Sequence, residues 1–391
     1  MMETNARKIV FLGTHGQYNI GDELLLETFL FTLGAEHRYV VNTYDPRFTS
    51  AQLDGRYEVE LIDTGGDRRA LLGHLRRCDA VVFGGGSIIK ELYASTGRNR
   101  YSTLLMILAI VTFANVTRRP IAMLNIGVGP ITTRTGRLLA RAVLGQVDLL
   151  TVRDHRSYET CREIGLPASK VQLATDAVFA VDRQWLLGSD TTTTSPAPVD
   201  RPLRFALNLN YDIANPDNWE LFNERLAAGL NGLHERRPIE LHLLPMQAGF
   251  KTNDDVQVLD AFVRRTPDIP VIRHAPTTYQ DVARIIDDCD LLVSERFHAI
   301  VIASLLATPS FVLAYDVKVS GLSVMLDLTD YTIDINTEFD ASSVTDGLEQ
   351  LALDLEGAAR RVHEHAMALH AIATTQVEAS KAWIGRTRGA S

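Results

Sequence analysis

The sequence predicts an α/β protein built from two Rossmann-like domains that face each other across a cleft. Three observations support this fold class. The chain has 391 residues, more than one ordinary hydrophobic core accommodates. Short apolar segments repeatedly run into glycine-rich turns and then into helical patterns, as in parallel sheets covered on both faces. A polar, low-complexity stretch from Gly188 to Asp200 divides two such series and is typical of a linker.

The first series begins with an apolar strand from Lys8 to Leu12, and a helical segment follows from about Asp22 to Leu33. Further apolar segments in this half are short enough to be buried strands and lead into glycines or charged residues. They lie at 39–43, 80–83, 121–126 and 149–152. We therefore expect an N-terminal domain over residues 1–187.

The second series follows the linker, which we place at residues 188–201. Its predicted strands lie at 205–209, 239–244, 270–272, 291–293 and 310–313. These segments predict a C-terminal domain over residues 202–340, and the helical composition of the tail predicts a separate helical segment over 341–391. Ligands of such sheets bind beyond the carboxyl ends of the strands, at helix N-termini.

The net charge of −9 provides no general basic field for nucleic acid or an anionic membrane. An anionic substrate would need a local cluster of cationic groups. The three cysteines form no C-x-x-C pair and lie at no zinc spacing, so we expect buried thiols, no metal site and a reducing compartment. The N-terminus has no signal-peptide pattern, which favours the cytoplasm.

The longest apolar run, Leu104 to Ala114, is too short to span a bilayer and predicts a buried core helix. Arginines flank it on both sides, at Arg98, Arg100, Arg118 and Arg119. Peripheral contact with the inner face of a membrane, which would suit a lipid-linked substrate, is the alternative interpretation.

The segment from Gly13 to Glu23 forms a glycine turn between a strand and a helix. Asp22 lies where a carboxylate complements the helix dipole, so it could be only a cap. The functional alternative places His15, Asn19, Asp22 or Glu23 on a substrate sugar or in the role of a general base. The spacing matches neither a P-loop nor a dinucleotide fingerprint, so the two interpretations stay open.

Three other strand ends in the first half carry candidate residues. Three consecutive glycines, Gly84 to Gly86, precede Ser87 and would let the backbone approach a ligand closely. Gly127 and Gly129 follow the strand at 121–126. Arg153, at the end of the next strand, could bind an anion or brace the loop, whereas we interpret Asp154 as a brace.

The segment from Asp290 to Pro309 is the most informative. Glu295, Arg296 and His298 lie where a predicted strand passes into a predicted helix. A guanidinium, an imidazole and helix N–H groups together favour an anion site, with histidine able to pass a proton. A structural salt bridge and a structural histidine are the alternative. Lys318, after the next strand, could reach the same anion or be solvated.

These segments, in this order, resemble the polysaccharide pyruvyltransferase family. The resemblance covers residues 8 to 330 and departs from the family's pattern at Ala177 and Val317, where the family carries proline. The motifs that carry the resemblance are Gly13 together with residues 19–23, then residues 84–87, 127–130, 152–157 together with 164–166, 174–179, 294–299 and 315–322.

The resemblance implies a GT-B-like fold, phosphoenolpyruvate as the donor and a sugar hydroxyl pair as the acceptor in cell-envelope polysaccharide biosynthesis. It implies donor-side roles for Arg296 and His298, and no metal or bound cofactor. We add Lys318, Arg153 and Glu295 as candidate donor contacts, with His298, Asp22 and Glu23 as candidate proton carriers. The candidate acceptor or backbone-loop residues are His15, Asn19, Gly84, Gly85, Gly86, Ser87, Gly127 and Gly129.

Two other functions fit the same features. A GT-B glycosyltransferase would use a nucleotide sugar at the same kind of anion site. A catalytically silent sugar-binding homologue would not need a proton donor beside Arg296. The missing dinucleotide fingerprint argues against a nicotinamide dehydrogenase.

Overall fold

The computed structural model describes residues 6–92, 99–188, 201–211, 218–250 and 252–387. These residues form two compact units. The first contains residues 6–17, 22–180 and 371–387, and the second contains residues 18–21 and 181–370. Most of the expected linker therefore lies outside the described residues. No helix among the described residues is long and apolar enough to cross a bilayer.

The first unit contains a parallel sheet of seven strands in the order β3-β2-β1-β4-β5-β6-β7. Buried aliphatic residues make up its central strands, because helices cover both faces. The strands are β1 Lys8–Leu12, β2 Arg38–Thr43, β3 Glu58–Asp63, β4 Ala80–Gly84, β5 Ile121–Ile126, β6 Leu149–Val152 and β7 Gln172–Leu173.

The helices between these strands are α1 Ile20–Leu33, α2 Pro46–Leu53, α3 Arg68–Leu75, α4 Ser102–Val116, α5 Arg134–Gly145 and α6 His155–Glu163. One core cluster of this unit packs β4, β5 and β6 against α4 and α5. Helix α4 is only partly the core helix that its apolar run predicts, because one side is buried and the other is exposed.

The second unit contains a parallel sheet of six strands in the order β10-β9-β8-β11-β12-β13. The strands are β8 Leu203–Asn208, β9 Ile239–Leu243, β10 Val271–Arg273, β11 Leu291–Ser294, β12 Ser310–Ala314 and β13 Thr332–Asp334. Its helices are α7 Arg183–Leu187, α8 Trp219–Arg236, α9 Asp255–Phe262, α10 Tyr279–Asp287, α11 Phe297–Leu306, α12 Val317–Met325, α13 Ala341–Leu353 and the first half of α14 Leu355–Arg386.

The unit boundaries differ from the sequence-based domains at both ends of the second unit. Helix α7 belongs to the second unit because Trp185 stacks on Tyr279 at 4.8 Å and Arg183 pairs with Asp287. Helix α14 does not form a separate segment, since its residues from 371 onward belong to the first unit.

Each sheet has one switch point, where the chain returns to the middle of the sheet and strand order reverses. It lies between β1 and β4 in the first sheet and between β8 and β11 in the second. Loops at the carboxyl ends of the two strands diverge there and leave a crevice, the usual ligand position in open α/β sheets.

Candidate active site

Glu295 joins the two strand ends at the switch point of the second sheet. It follows β11 and is fully buried. Its carboxylate accepts hydrogen bonds from the Asn210 side chain at 3.1 Å and the Asn210 backbone N–H at 3.4 Å. Because Asn210 follows β8, Glu295 fixes the loops on both sides of the crevice. Glu295, which the sequence predicts as a donor contact, therefore also positions these loops.

Arg296 is held in a defined orientation just before α11. Its Nη2 lies 2.5 Å from Oδ1 of Asp255, and its Nε lies 3.3 Å from Oδ2. Nη2 also donates to Oε1 of Gln247 at 3.3 Å. This two-point contact is the geometry in which a guanidinium binds a carboxylate most strongly. Asp255 is therefore the residue that orients Arg296.

Asp255 is itself fixed by the backbone. Its Oδ2 accepts the N–H groups of Met246 at 3.0 Å and of Gln247 at 3.1 Å. Neither Asp255 nor Gln247 was identified from the sequence. The only local signal was a pair of aspartates at the start of α9, and Asp254, the first of them, is the one that caps this helix. A capping pattern does not reveal which neighbouring carboxylate faces a distant arginine.

His298 lies against the backbone of Gly21. A Cβ at position 21 would overlap Nδ1 of the imidazole, so only glycine permits this approach. The Asn19 side chain accepts the Gly21 N–H at 3.0 Å, and Asn19 forms an antiparallel bridge with Gln247. Part of the first glycine motif, residues 18–21, thus meets Arg296 and His298 within the second unit.

Lys318 is the second residue of α12, the helix that follows β12, and β12 lies beside β11. Its Nζ is 3.3 Å from Asp316 and 5.0 Å from the centre of the Tyr315 ring. Burial raises the pKa of Tyr315, and the positive charges of Lys318 and Arg296 partly offset this effect. Val317 starts α12 after the Asp316 cap, so the missing family proline does not prevent the helix from forming here.

Arg153 occupies the carboxyl edge of the first sheet. Its Nη2 donates to Oγ of Ser87 at 3.1 Å, and its Nη1 lies 3.3 Å from Oδ2 of Asp176. A Cβ at Gly127 would lie 2.8 Å from the same Oγ, so glycine leaves the space for this contact. Asp154 caps α6, and its Oδ2 lies 3.5 Å from Nε of Arg153, which is the pair that the bracing interpretation describes. The structure therefore joins three strand ends through one buried arginine.

At the end of β4, Gly84 and Gly85 have a packing role, which the sequence made the less expected alternative to ligand approach. A Cβ at Gly84 would overlap the ring of Phe11, and one at Gly85 would overlap Leu25. Gly85 also has a φ of 58°. Close approach to core side chains thus explains both glycines. Gly86 has a φ of 68° and more space around it, and Gly129 has a φ of 111°.

His15 and Glu23 are buried in the first unit. His15 stacks on Phe11 at 5.9 Å, and burial lowers its pKa to about 3, so the imidazole is neutral at neutral pH. Glu23 accepts the Gly16 N–H at 2.6 Å, and burial raises its pKa to about 7. Asp22 is the more exposed of the two adjacent carboxylates. These environments favour Asp22 over Glu23 for contact with a substrate.

Two open parallel sheets of this kind, each with polar residues at its switch point, define a GT-B-like α/β protein. The model of the family described as polysaccharide pyruvyl transferase matches residues 19–317, which is well over half of the chain. The chain therefore belongs to the polysaccharide pyruvyl transferase family and is a transferase.

Solved structures share the fold at low sequence identity. The HepE protein of Anabaena in complex with UDP-glucose is 14% identical, with a TM-score of 0.62 over 97% of this chain and 99% of that chain. UDP-GlcNAc 2-epimerase of Neisseria meningitidis, bound to UDP-GlcNAc, is 12% identical, with a TM-score of 0.62 over 95% and 98% of the chains. A glycosyltransferase of Rickettsia africae is 11% identical, with a TM-score of 0.61 over 98% and 100%.

Proposed function

We propose that this protein transfers the pyruvyl group of phosphoenolpyruvate to two hydroxyls of a sugar, forming a ketal and releasing phosphate. The observation that carries the proposal is the arrangement of Arg296 and His298 at the second switch point, where Asp255 orients the guanidinium. The family supplies the reaction class. The sugar belongs to a polysaccharide or glycolipid precursor.

The donor has a phosphate and a carboxylate, so its binding requires local positive charge in a chain of net charge −9. Arg296 would bind one of these anionic groups beside the N-terminus of α11, where helix N–H groups add to the field. Lys318 would assist from the start of α12. Arg153 would contribute through the first unit, where it already contacts Ser87.

The reaction requires a proton donor. Protonation of the methylene carbon leaves an electrophilic, oxocarbenium-like C2, to which the first sugar hydroxyl adds with loss of its proton. Phosphate then leaves with the C–O bonding electrons, and the second hydroxyl closes the ketal as its proton is lost. His298 would donate the proton to the methylene carbon or bind the departing phosphate.

The acceptor hydroxyls require a base. Asp22 would take the first hydroxyl proton, because it is the more exposed carboxylate of its pair. The loops of the first unit, with Ser87, Gly86 and Gly129, would contact the sugar. Side chains and helix N–H groups supply every charge used, so the proposal includes no metal or bound cofactor. We place the reaction in the cytoplasm, where phosphoenolpyruvate is formed.

Thermal unfolding with separate ligands tests the donor. Phosphoenolpyruvate at about 100 times its dissociation constant should add about 2.7 kcal/mol of stability. UDP, GDP and CMP should add none. The increment should vanish in Arg296→Ala and persist in Arg273→Ala, a matched variant whose arginine pairs with Asp260 on the exposed surface.

Stabilisation by a nucleotide alone would overturn the proposal in favour of a nucleotide-sugar glycosyltransferase. No response to any ligand, with or without a panel of sugar acceptors, would favour a catalytically silent homologue. In the positive case, phosphate release from phosphoenolpyruvate across that panel identifies the acceptor.

A further inference from the structure

Helix α4 presents apolar side chains outward. Leu105 is 50% exposed, Met106 is 43% exposed and Val116 is 77% exposed, and Ala109 lies on the same side. The opposite side, with Leu104, Ile107, Val111 and Ala114, packs into the core of the first unit. A helix that only covers the sheet needs one apolar face, so the second apolar face requires another explanation.

Helix α5 packs beside α4 and presents a row of arginines. Arg134, Arg137 and Arg141 are all exposed, and their spacing places them on one side of the helix. Leu138, which is 69% exposed, lies among them. Hydrogen bonds from Thr112 and Asn115 to Gln146 tie the two helices together. Gln146 marks the side of α5 that meets α4, so the arginines lie on its far flank, where Arg141 is beside Gly165. We call the outward side of the two helices, with the apolar residues of α4, Leu138 and these flanking arginines, the α4–α5 face.

Charge is distributed unevenly along the chain. Residues 99–147 contain six arginines and no aspartate or glutamate, although the whole chain has a net charge of −9. On the side of α4 away from α5, Arg76 lies over the Phe113 ring at 5.4 Å. The apolar face thus has arginines on both sides.

We propose that the α4–α5 face docks on an anionic lipid surface. Apolar side chains that enter the boundary between headgroups and acyl chains, flanked by arginines at headgroup level, are the two components of interfacial binding. A second copy of the chain fits less well, because a symmetric contact would place arginines opposite arginines. Nucleic acid fits less well, because a row of exposed aliphatic residues offers bases no stacking surface.

The docking has a consequence for the acceptor. This consequence rests on the proposed function, whereas the docking itself does not. Helices α4 and α5 begin at the carboxyl edge of the first sheet, since they follow β4 and β5. The same edge carries Ser87 and Gly127. A sugar attached to a membrane lipid would be delivered beside these loops, so the acceptor class is a lipid-linked saccharide.

Vesicle flotation of the full chain tests the docking without donor or acceptor. Vesicles of phosphatidylcholine and phosphatidylglycerol should bind the protein, and vesicles of phosphatidylcholine alone should bind it far less. Arg134→Ser/Arg137→Ser/Arg141→Ser should weaken binding to anionic vesicles about a hundredfold, because each arginine near such a surface contributes roughly fivefold. Raising the salt concentration to about 1 M should also weaken binding to anionic vesicles.

A matched triple variant controls for net charge. Arg264→Ser/Arg273→Ser/Arg360→Ser removes three exposed arginines from the second unit and should leave binding unchanged. Leu105→Ser/Met106→Ser should weaken binding about tenfold with little change in its salt dependence.

Three results would overturn the docking. The first is that the wild-type protein does not bind anionic vesicles. The second is that the two triple variants lose the same amount of vesicle binding. The third is that the protein binds no vesicles but forms a dimer in sedimentation, which Leu105→Ser/Met106→Ser abolishes. Each is independent of phosphoenolpyruvate. Failure of the docking is therefore distinguishable from failure of the proposed donor.

Discussion

Apart from the additional strand β7 in the first sheet, the two sheets have the same strand order, but their carboxyl edges differ in chemistry. In the first sheet, Gly84 and Gly85 pack against core side chains, and burial shifts the pKa of His15 and of Glu23 in the direction that favours the neutral form. In the second sheet, Glu295 and Arg296 lie at the switch point in charged hydrogen-bond networks with Asn210 and Asp255. The fold thus provides two equivalent positions, and the residues decide what each one can do.

This comparison suggests a division of labour. The second edge holds an oriented cation beside a histidine, which suits the donor. The first edge offers shaped backbone at its glycine loops, which suits the neutral hydroxyls of a sugar. Four substitutions test whether the edges differ in this way.

Arg296→Ala should have the largest effect, a loss of about 3–5 kcal/mol in the free energy of unfolding, because it leaves Asp255 buried without its partner. The side chains of this pair are 12% and 2% exposed. Arg273→Ala, which breaks an exposed pair with Asp260, should cost less than about 1 kcal/mol. Urea denaturation measures both values. Adding Asp255→Asn to Arg296→Ala should recover part of the loss, and equal effects of the two single variants would contradict the assigned role of Asp255.

His298→Ala should reduce turnover about a hundredfold or more while leaving the unfolding midpoint nearly unchanged. Phosphate release from phosphoenolpyruvate with an identified acceptor measures the rate. His365→Ala, which removes a partly exposed imidazole on α14 whose Nδ1 lies 2.9 Å from the Arg361 carbonyl oxygen, is the matched control and should retain full activity. Unchanged turnover in His298→Ala would remove this residue from the mechanism and weaken the contrast between the two edges.

Glu23→Gln should stabilise the protein more at pH 8 than at pH 5, by a difference of about 2 kcal/mol. Burial raises the pKa of Glu23 from 4.5 to about 7. Between these values the folded protein retains a proton that the unfolded chain loses, so stability falls as the pH rises through this window. Glutamine removes this penalty. Urea denaturation at both pH values measures this difference in the free energy of unfolding, with Glu163→Gln, at an exposed position, as the control. An effect of Glu23→Gln that does not depend on pH would argue against a buried neutral carboxyl.

Gly85→Ala should lower the free energy of unfolding by about 1–2 kcal/mol, because its φ is positive and the new Cβ would meet Leu25. Gly321→Ala, in α12 with open space around it, should stabilise the protein by up to about 1 kcal/mol. Thermal unfolding shows whether each substitution lowers or raises the stability. If Gly85→Ala left the stability unchanged, the packing role would be wrong, and close approach of a ligand would again be the better explanation for the triple glycine.

Much of the fold could be predicted from the sequence. The central strands are runs of buried aliphatic residues, and each predicted strand overlaps an observed one. Strands β3, β7 and β13 were missed. Strands β3 and β7 are the two edge strands of the first sheet, and β13 is an edge strand of the second. Strands β7 and β13 have only two and three residues, which is too few for a period to be recognised. Strand β3 does alternate Val59 and Leu61 with glutamates, so its period-2 signal was present and was overlooked.

By itself, the sequence determined the features that are local along the chain. These include the α/β class, the glycine turns, and the close spacing of Glu295, Arg296 and His298 at a strand end. Only the tertiary structure decided which partners these residues have. Asp255 lies 41 positions from Arg296, and Ser87 lies 66 positions from Arg153. Strand order brings such distant residues to one sheet edge, and no local pattern encodes that order.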